Sequence, residues 1–320
     1  MFNRYWRDYP WFMQVMLFGL MVFTFTYFFF LVGNVVVKSV CGYSLDNIMA
    51  INQKSNYSLI SAGLLYQAVT SMGVFIIPAI CFAHVTHPRK WDYLGLRKAG
   101  KNIQWILIVL VMLGAIPVLL ELASLIKLIN LGAGVNAMQS KEEEIEKAFL
   151  NMQTPLQFFY VLLVIAIIPA LGEELLFRGV VFKLIYKRNN KLLLSAALSA
   201  VIFALLHGSP YNYPSIFIAG ILLCYIYYLT GSLWCNIIAH MFYNGLQVYL
   251  AYISVNNPAI AKMLSSDSVP IPLLIGGVVV FTAAFYMLWK NKTLLPKTWV
   301  NDFTNEELDA IANSENNNQD

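Results

Sequence analysis

Apolar runs close to the length of a bilayer crossing recur along the whole chain. They cover roughly residues 11–37, 58–83, 103–126, 156–186, 192–207, 214–229, 233–254 and 271–289. A membrane helix needs about 20 such residues. Short polar and often basic stretches separate the runs. Inside hydrocarbon the backbone must satisfy its own hydrogen bonds, so each run predicts a helix. The 3.6-residue amphipathic period adds little, because most faces are apolar. The pattern therefore predicts an all-α, polytopic membrane helical bundle of about eight transmembrane helices over 1–290. A polar tail is expected over 291–320, with a turn of helix near 306–312.

Composition supports the membrane assignment. Apolar residues make up 59 % of the chain and charged residues 12 %, about half the usual charged share. The net charge of +4 is distributed by topology and is no signal for nucleic acid. With the N-terminus in the cytoplasm, Arg4, Arg7, Arg89, Lys90, Arg97, Lys98, Lys101, Lys183, Lys187, Arg188, Lys191, Lys290, Lys292 and Lys297 fall inside. Only Lys38, Lys54, Lys127, Lys141, Lys147 and Lys262 fall outside. The positive-inside rule then places both termini in the cytoplasm of a multi-pass cell-membrane protein. The first run is too long for a signal-peptide apolar region and reads as a retained span.

Most of the unusual residues have ordinary expectations. Trp6, Trp11, Trp91, Trp105, Trp289 and Trp299 lie near span ends and read as an interfacial belt. Cys41, Cys81, Cys224 and Cys235 show no zinc-ligand spacing. Glu142, Glu143, Glu144 and Glu146 read as the solvated face of a short helix. His84 and His87 are expected to be wet and interfacial. Glu121 is expected near an interface, reaching Lys127.

The pair Glu173-Glu174 is different, because it lies inside an apolar run together with Arg178. Insertion of such a residue at a helix centre costs roughly 2.5–3.5 kcal/mol. Glu174 and Arg178 are four apart, so they share a helix face and can pair. Glu173 is rotated about 100° away and is left for another partner. Glu173 and His207 lie 17 residues either side of Asn190, in the basic turn joining their helices. At about 1.5 Å per residue, both stand roughly 25 Å from that turn and at similar depth. Phe203, one turn before His207, would shield it. His240 and Asn244 share a face of a third helix. Gly208, Gly220, Gly231 and Gly245 would allow turns or close helix approach. Packing alone is a poor reason to keep so many polar groups in lipid.

Glu173-Glu174-x-x-x-Arg178, Phe203-x-x-x-His207 and His240-x-x-x-Asn244 resemble the three motifs of the CPBP family. These are the CAAX-prenyl-protease-like and bacteriocin-processing (Abi) intramembrane proteases. The resemblance covers roughly 156–250, the expected protease core. It implies hydrolysis of a peptide bond near the membrane. On that resemblance Glu173 activates the attacking water and His207 assists. His240 and Asn244 bind water or stabilise the oxyanion. Glu174, Arg178 and Phe203 support the site. The substrate would be a peptide or membrane protein.

Zinc is the one cofactor candidate. Glu173, His207 and His240 match in type the ligands of a catalytic zinc, but HExxH is absent. A metal-free site is the leading expectation. The alternative function is a non-catalytic membrane protein on the same fold, a bacteriocin-immunity factor or scaffold. A proton-coupled transporter ranks last, since the chain shows no internal repeat.

Overall fold

The computed structural model describes residues 5–6, 9–266, 268–295 and 299. The expected helical turn near 306–312 lies outside the described residues. Among the described residues the architecture is helical throughout, with no strand. The long helices are α1 (Trp11–Cys41), α2 (Tyr57–Thr86) and α3 (Ile103–Lys127). Then come α4 (Ala133–Phe149), α5 (Pro155–Asn189) and α6 (Leu192–Leu205). The last are α7 (Tyr213–Thr230), α8 (Leu233–Ser254) and α9 (Ile271–Lys290).

Six of the eight expected spans are long and apolar enough to cross a bilayer. The remaining two are α6 and α8. With 14 residues, α6 rises only about 21 Å. α8 has 22 residues but carries Asn236, His240, Asn244 and Gln247, which lower its hydropathy. Both departures fall on helices that bear site residues. The chain is a multi-pass helical membrane protein.

Local sequence explains where the helices start, stop and bend. Thr154 and Gln157 form a reciprocal capping box at the start of α5, with Pro155 in the first turn. Asn190 ends α5 at φ 52°, its N–H donating to the Tyr186 carbonyl at 2.8 Å. Gly231 ends α7 in the same left-handed region, at φ 67°. π-helical turns over Met72–Ile76 and Leu162–Ile167 stand just before Pro78 and Pro169. A proline removes one backbone donor and crowds the preceding turn, and a wider turn relieves both. A third π turn, Phe177–Val181, comes directly after the Glu173-Glu174 segment. The two carboxylates thus sit on nine regular residues, Ile168–Leu176, between two widened turns.

Small residues let the helices approach closely. A Cβ on Gly172 would stand 2.9 Å from Phe75 Cβ, so α5 lies hard against α2. A Cβ on Gly220 would stand 2.8 Å from Ala200 Cβ, which presses α7 onto α6. Gly114 on α3 faces the α9 backbone, where a Cβ would meet Phe281 N at 2.4 Å. Around these contacts, one buried cluster joins Phe82, Leu176, Phe177, Phe203 and Tyr227. A second joins Val111, Met112, Ile226 and Leu288.

Four expectations need correction. Trp299 is buried rather than interfacial, and its Nε1 donates to Tyr227 Oη at 3.1 Å. The tail therefore does not leave the bundle at 290. Thr293 N donates to Leu229 O at 2.7 Å, and buried Gln104 donates to Asn291 O at 2.9 Å. Glu121 accepts from Val269 N at 2.8 Å, while Lys127 pairs instead with Glu143 at 2.7 Å. The acidic run does form a helix, α4, but not a wholly solvated one. Burial pushes the Glu142 carboxyl above its usual range, while the Lys127 hydrogen bond holds Glu143 below it. Gln139 on the same helix is buried.

Candidate active site

Glu174 is fully buried and every polar neighbour is a donor. Arg178 Nη1 donates to its Oε1 at 2.8 Å, and His240 Nδ1 lies 3.0 Å from the same oxygen. Asn236 Nδ2 donates to Oε2 at 3.1 Å. The guanidinium of Arg178 also donates to the Gly220 carbonyl at 3.0 Å and lies 4.7 Å from the Phe203 ring centre. One arginine on α5 thus ties down α7 and α6. Its planar fork suits this, since it serves two acceptors while stacking on an aromatic face.

Glu173, the preceding residue, has the opposite environment. It is 8 % exposed, and its Oε2 is buried without a hydrogen-bond partner. Two imidazole nitrogens face that oxygen. His207 Nε2 and His240 Nε2 each stand 3.8 Å away. The other ring nitrogen of each histidine is committed. His207 Nδ1 lies 2.7 Å from the Phe203 carbonyl. A carbonyl can only accept, so Nδ1 carries the proton. His240 Nδ1 likewise donates to the Glu174 carboxylate. In the neutral rings, both Nε2 lone pairs therefore point toward Glu173. Phe203 packs edge-on against His207, with ring centres 4.6 Å apart.

The helices explain this convergence. Glu173 lies on α5, His207 just past the end of α6, and His240 on α8. α6 ends at Leu205, so the His207 ring turns inward from the chain's exit. Its side chain remains 32 % exposed, against 8 % for His240, so the site is more open on the His207 side. Asn244, one turn beyond His240, is half-buried and makes no hydrogen bond among the described residues. Three of the four expected catalytic side chains thus meet. The fourth lies one turn further along α8 and makes no hydrogen bond to them among the described residues.

A spacing of 3.8 Å is too long for a direct hydrogen bond. A water oxygen about 2.8 Å from both Glu173 Oε2 and either Nε2 would see them at about 85°, an acceptable hydrogen-bonding angle. The three donors fit a zinc ion less well. Tetrahedral ligands about 2.05 Å from zinc stand about 3.3 Å apart. The described residues hold no group of three or more His, Cys, Asp or Glu arranged to take a metal ion.

Two features have no counterpart among the sequence expectations. Asn236 clamps Glu174 and also donates to the Leu223 carbonyl at 2.7 Å. It lies one turn before His240, and a buried amide in an apolar helix carries the same cost argument as the histidines. Glu174 is also more than a partner for Arg178, because it orients His240. That link joins residues 66 positions apart, and no local spacing announces it.

Residues 155–246 match the family described as Type II CAAX prenyl endopeptidase Rce1-like. The chain is also 26 % identical over 117 residues to YdiL of Bacillus subtilis (strain 168), provisionally named a membrane peptidase. That alignment takes in 37 % of this chain and 46 % of the relative, so the chain spans under half the length of the protein it matches. No solved structure matches the chain. With its motifs in order on α5, α6 and α8 and meeting at one buried carboxylate, the 155–246 segment belongs to the CPBP family of CAAX-prenyl-protease-like membrane proteins.

Proposed function

We propose that the chain is an intramembrane endopeptidase that hydrolyses a peptide bond near the membrane. The observation that carries this reading is the unpartnered Glu173 Oε2 faced by two histidine Nε2 atoms. A buried acceptor left without a partner costs about 1–3 kcal/mol in stability, so its retention calls for a use. In the proposed reaction Glu173 removes a proton from the water it binds, and the resulting hydroxide attacks the scissile carbonyl. A histidine Nε2 lone pair accepts the water's other hydrogen and steadies it, and the amide of Asn244 is left to donate to the developing oxyanion. Asn244 joins as substrate displaces water and draws its amide into reach. Protonated Glu173 then passes its proton to the leaving amine, which balances the hydrolysis. Glu174 holds His240 in the tautomer that leaves an Nε2 lone pair facing the water, as an orienting carboxylate does in a catalytic triad. No step is routed through a metal.

The test uses the purified full chain in liposomes. It is given a quenched peptide ending in a farnesylated cysteine motif, and its unlipidated counterpart, in H₂¹⁸O. Cleavage should leave one ¹⁸O in the new C-terminal carboxylate. A chain that cleaves neither peptide, nor any native membrane peptide in a comparative digest, would favour the non-catalytic alternative.

The proposed topology has both termini in the cytoplasm of the cell membrane. The basic stretches at 89–101 and 183–191 then share that side, and α4 lies on the other. Single cysteines placed in the two stretches, in a chain without its native cysteines, should resist an impermeant thiol reagent added to intact cells. Labelling of either stretch from outside would reverse the orientation.

A further inference from the structure

His207 sits where a helix ends, and its ring has one hydrogen bond, to the Phe203 carbonyl. The next residues in the chain decide whether that ring stays in place. Gly208 turns the chain at φ 68°. A Cβ there would stand 2.8 Å from Glu142 Oε1 of α4, so that helix packs directly on the residue after His207. Ser209 comes next and is 7 % exposed.

Ser209 is a link in a chain of hydrogen bonds that converges on Glu143. Lys127 Nζ donates to Glu143 Oε1 at 2.7 Å, and Gln139 Nε2 donates to the same oxygen at 3.1 Å. The amide of Gln139 is thereby oriented with its oxygen toward Ser209, whose hydroxyl donates to it at 2.7 Å. Asn212 Nδ2 then donates to Ser209 Oγ at 2.9 Å. Gln139 is 8 % and Ser209 7 % exposed, so the link between them is buried, while Lys127 and Glu143 at its outer end are partly exposed. A second tie runs beside it. The Tyr211 hydroxyl donates to Asn136 of α4 and accepts from Leu131 N at 3.2 Å.

We propose that Gln139 is a positioning residue for His207, acting through Ser209, and that α4 is a working wall of the active site. The inference rests on the peptidase reading for its kinetic consequences. A loop held at Ser209 leaves the His207 ring little freedom to swing from Glu173. A misplacement of about 1 Å can cost about 10²-fold in rate.

The test compares Gln139→Ala, Ser209→Ala, the double variant and Ser209→Thr in the reconstituted full chain. The farnesylated and unlipidated quenched peptides are the probes. Each alanine variant should lower kcat about tenfold per folded molecule with KM within about twofold. The double variant should be no worse than the worse single, since both break one link. Ser209→Thr keeps the hydroxyl and should restore turnover. If Gln139→Ala fails to fold, the near-isosteric Gln139→Met takes its place. Unchanged kcat, or single effects that multiply in the double, would overturn the proposal.

An activity-independent readout separates this idea from the peptidase reading. The His207 imidazole resonance, assigned with His207→Gln, should be single in the wild type and broadened or split in the Gln139 variant. Should the wild type cleave nothing, this resonance alone decides, and an unchanged line would defeat the positioning role.

Discussion

Glu173→Gln is expected to lower peptide cleavage roughly 10²–10⁴-fold, the usual worth of a positioned general base, while the protein stays folded and inserted. The substitution keeps nearly the same volume and removes only the basic oxygen. In the structure that oxygen has no partner to lose. Taking a charge out of this buried site also removes a desolvation cost, so the melting temperature in detergent should hold or rise. Glutamine can still hydrogen-bond a water, so binding should persist when turnover does not. Turnover in liposomes and thermal melting, measured on one preparation, check the prediction. Near-normal turnover would remove Glu173 from the role of base.

Glu174→Gln should do the reverse in stability and share the loss in activity. It takes the charge from a carboxylate that serves Arg178, His240 and Asn236 at once. Breaking a buried ion pair by removing one partner costs about 3–5 kcal/mol, because Arg178 remains buried and charged. Lower expression and a lower melting temperature should result. The spacing of Glu174 and Arg178 alone makes stability the main casualty. The His240 contact adds a kinetic one, since a glutamine can present its NH₂ group to Nδ1 and favour the wrong ring tautomer. Activity per folded molecule, measured well below the melting transition, should therefore also fall. A Glu174→Gln protein that is inactive but fully stable, beside an active Glu173→Gln protein, would exchange the roles of the two carboxylates.

The contrast between these neighbours is partly legible in the chain. The i, i+4 rule pairs Glu174 with Arg178, and the 100° rotation frees Glu173. Counting from the turn at Asn190 also places Glu173 and His207 at one depth, as the 3.8 Å approach shows. Both are properties of single helices or of two joined by a short turn. Counting puts His240 shallower than His207, yet it reaches both carboxylates. The packing of α8 against α5 brings it there, and no count along one helix contains that contact.

The membrane as solvent, the helical class and the three motifs can all be read from the residues alone. Hydrocarbon leaves the backbone no other partner, and each buried charge stands out against the apolar pattern around it. Which oxygen of which glutamate is left free is a matter of packing. So are the contact of α4 with the His207 loop and the burial of Asn236 and Trp299 inside the bundle. Those outcomes depend on contacts between residues far apart in the chain, where geometry is set jointly by several packed helices. A polar residue shows in the sequence that it needs a partner, but only packing determines which partner it meets.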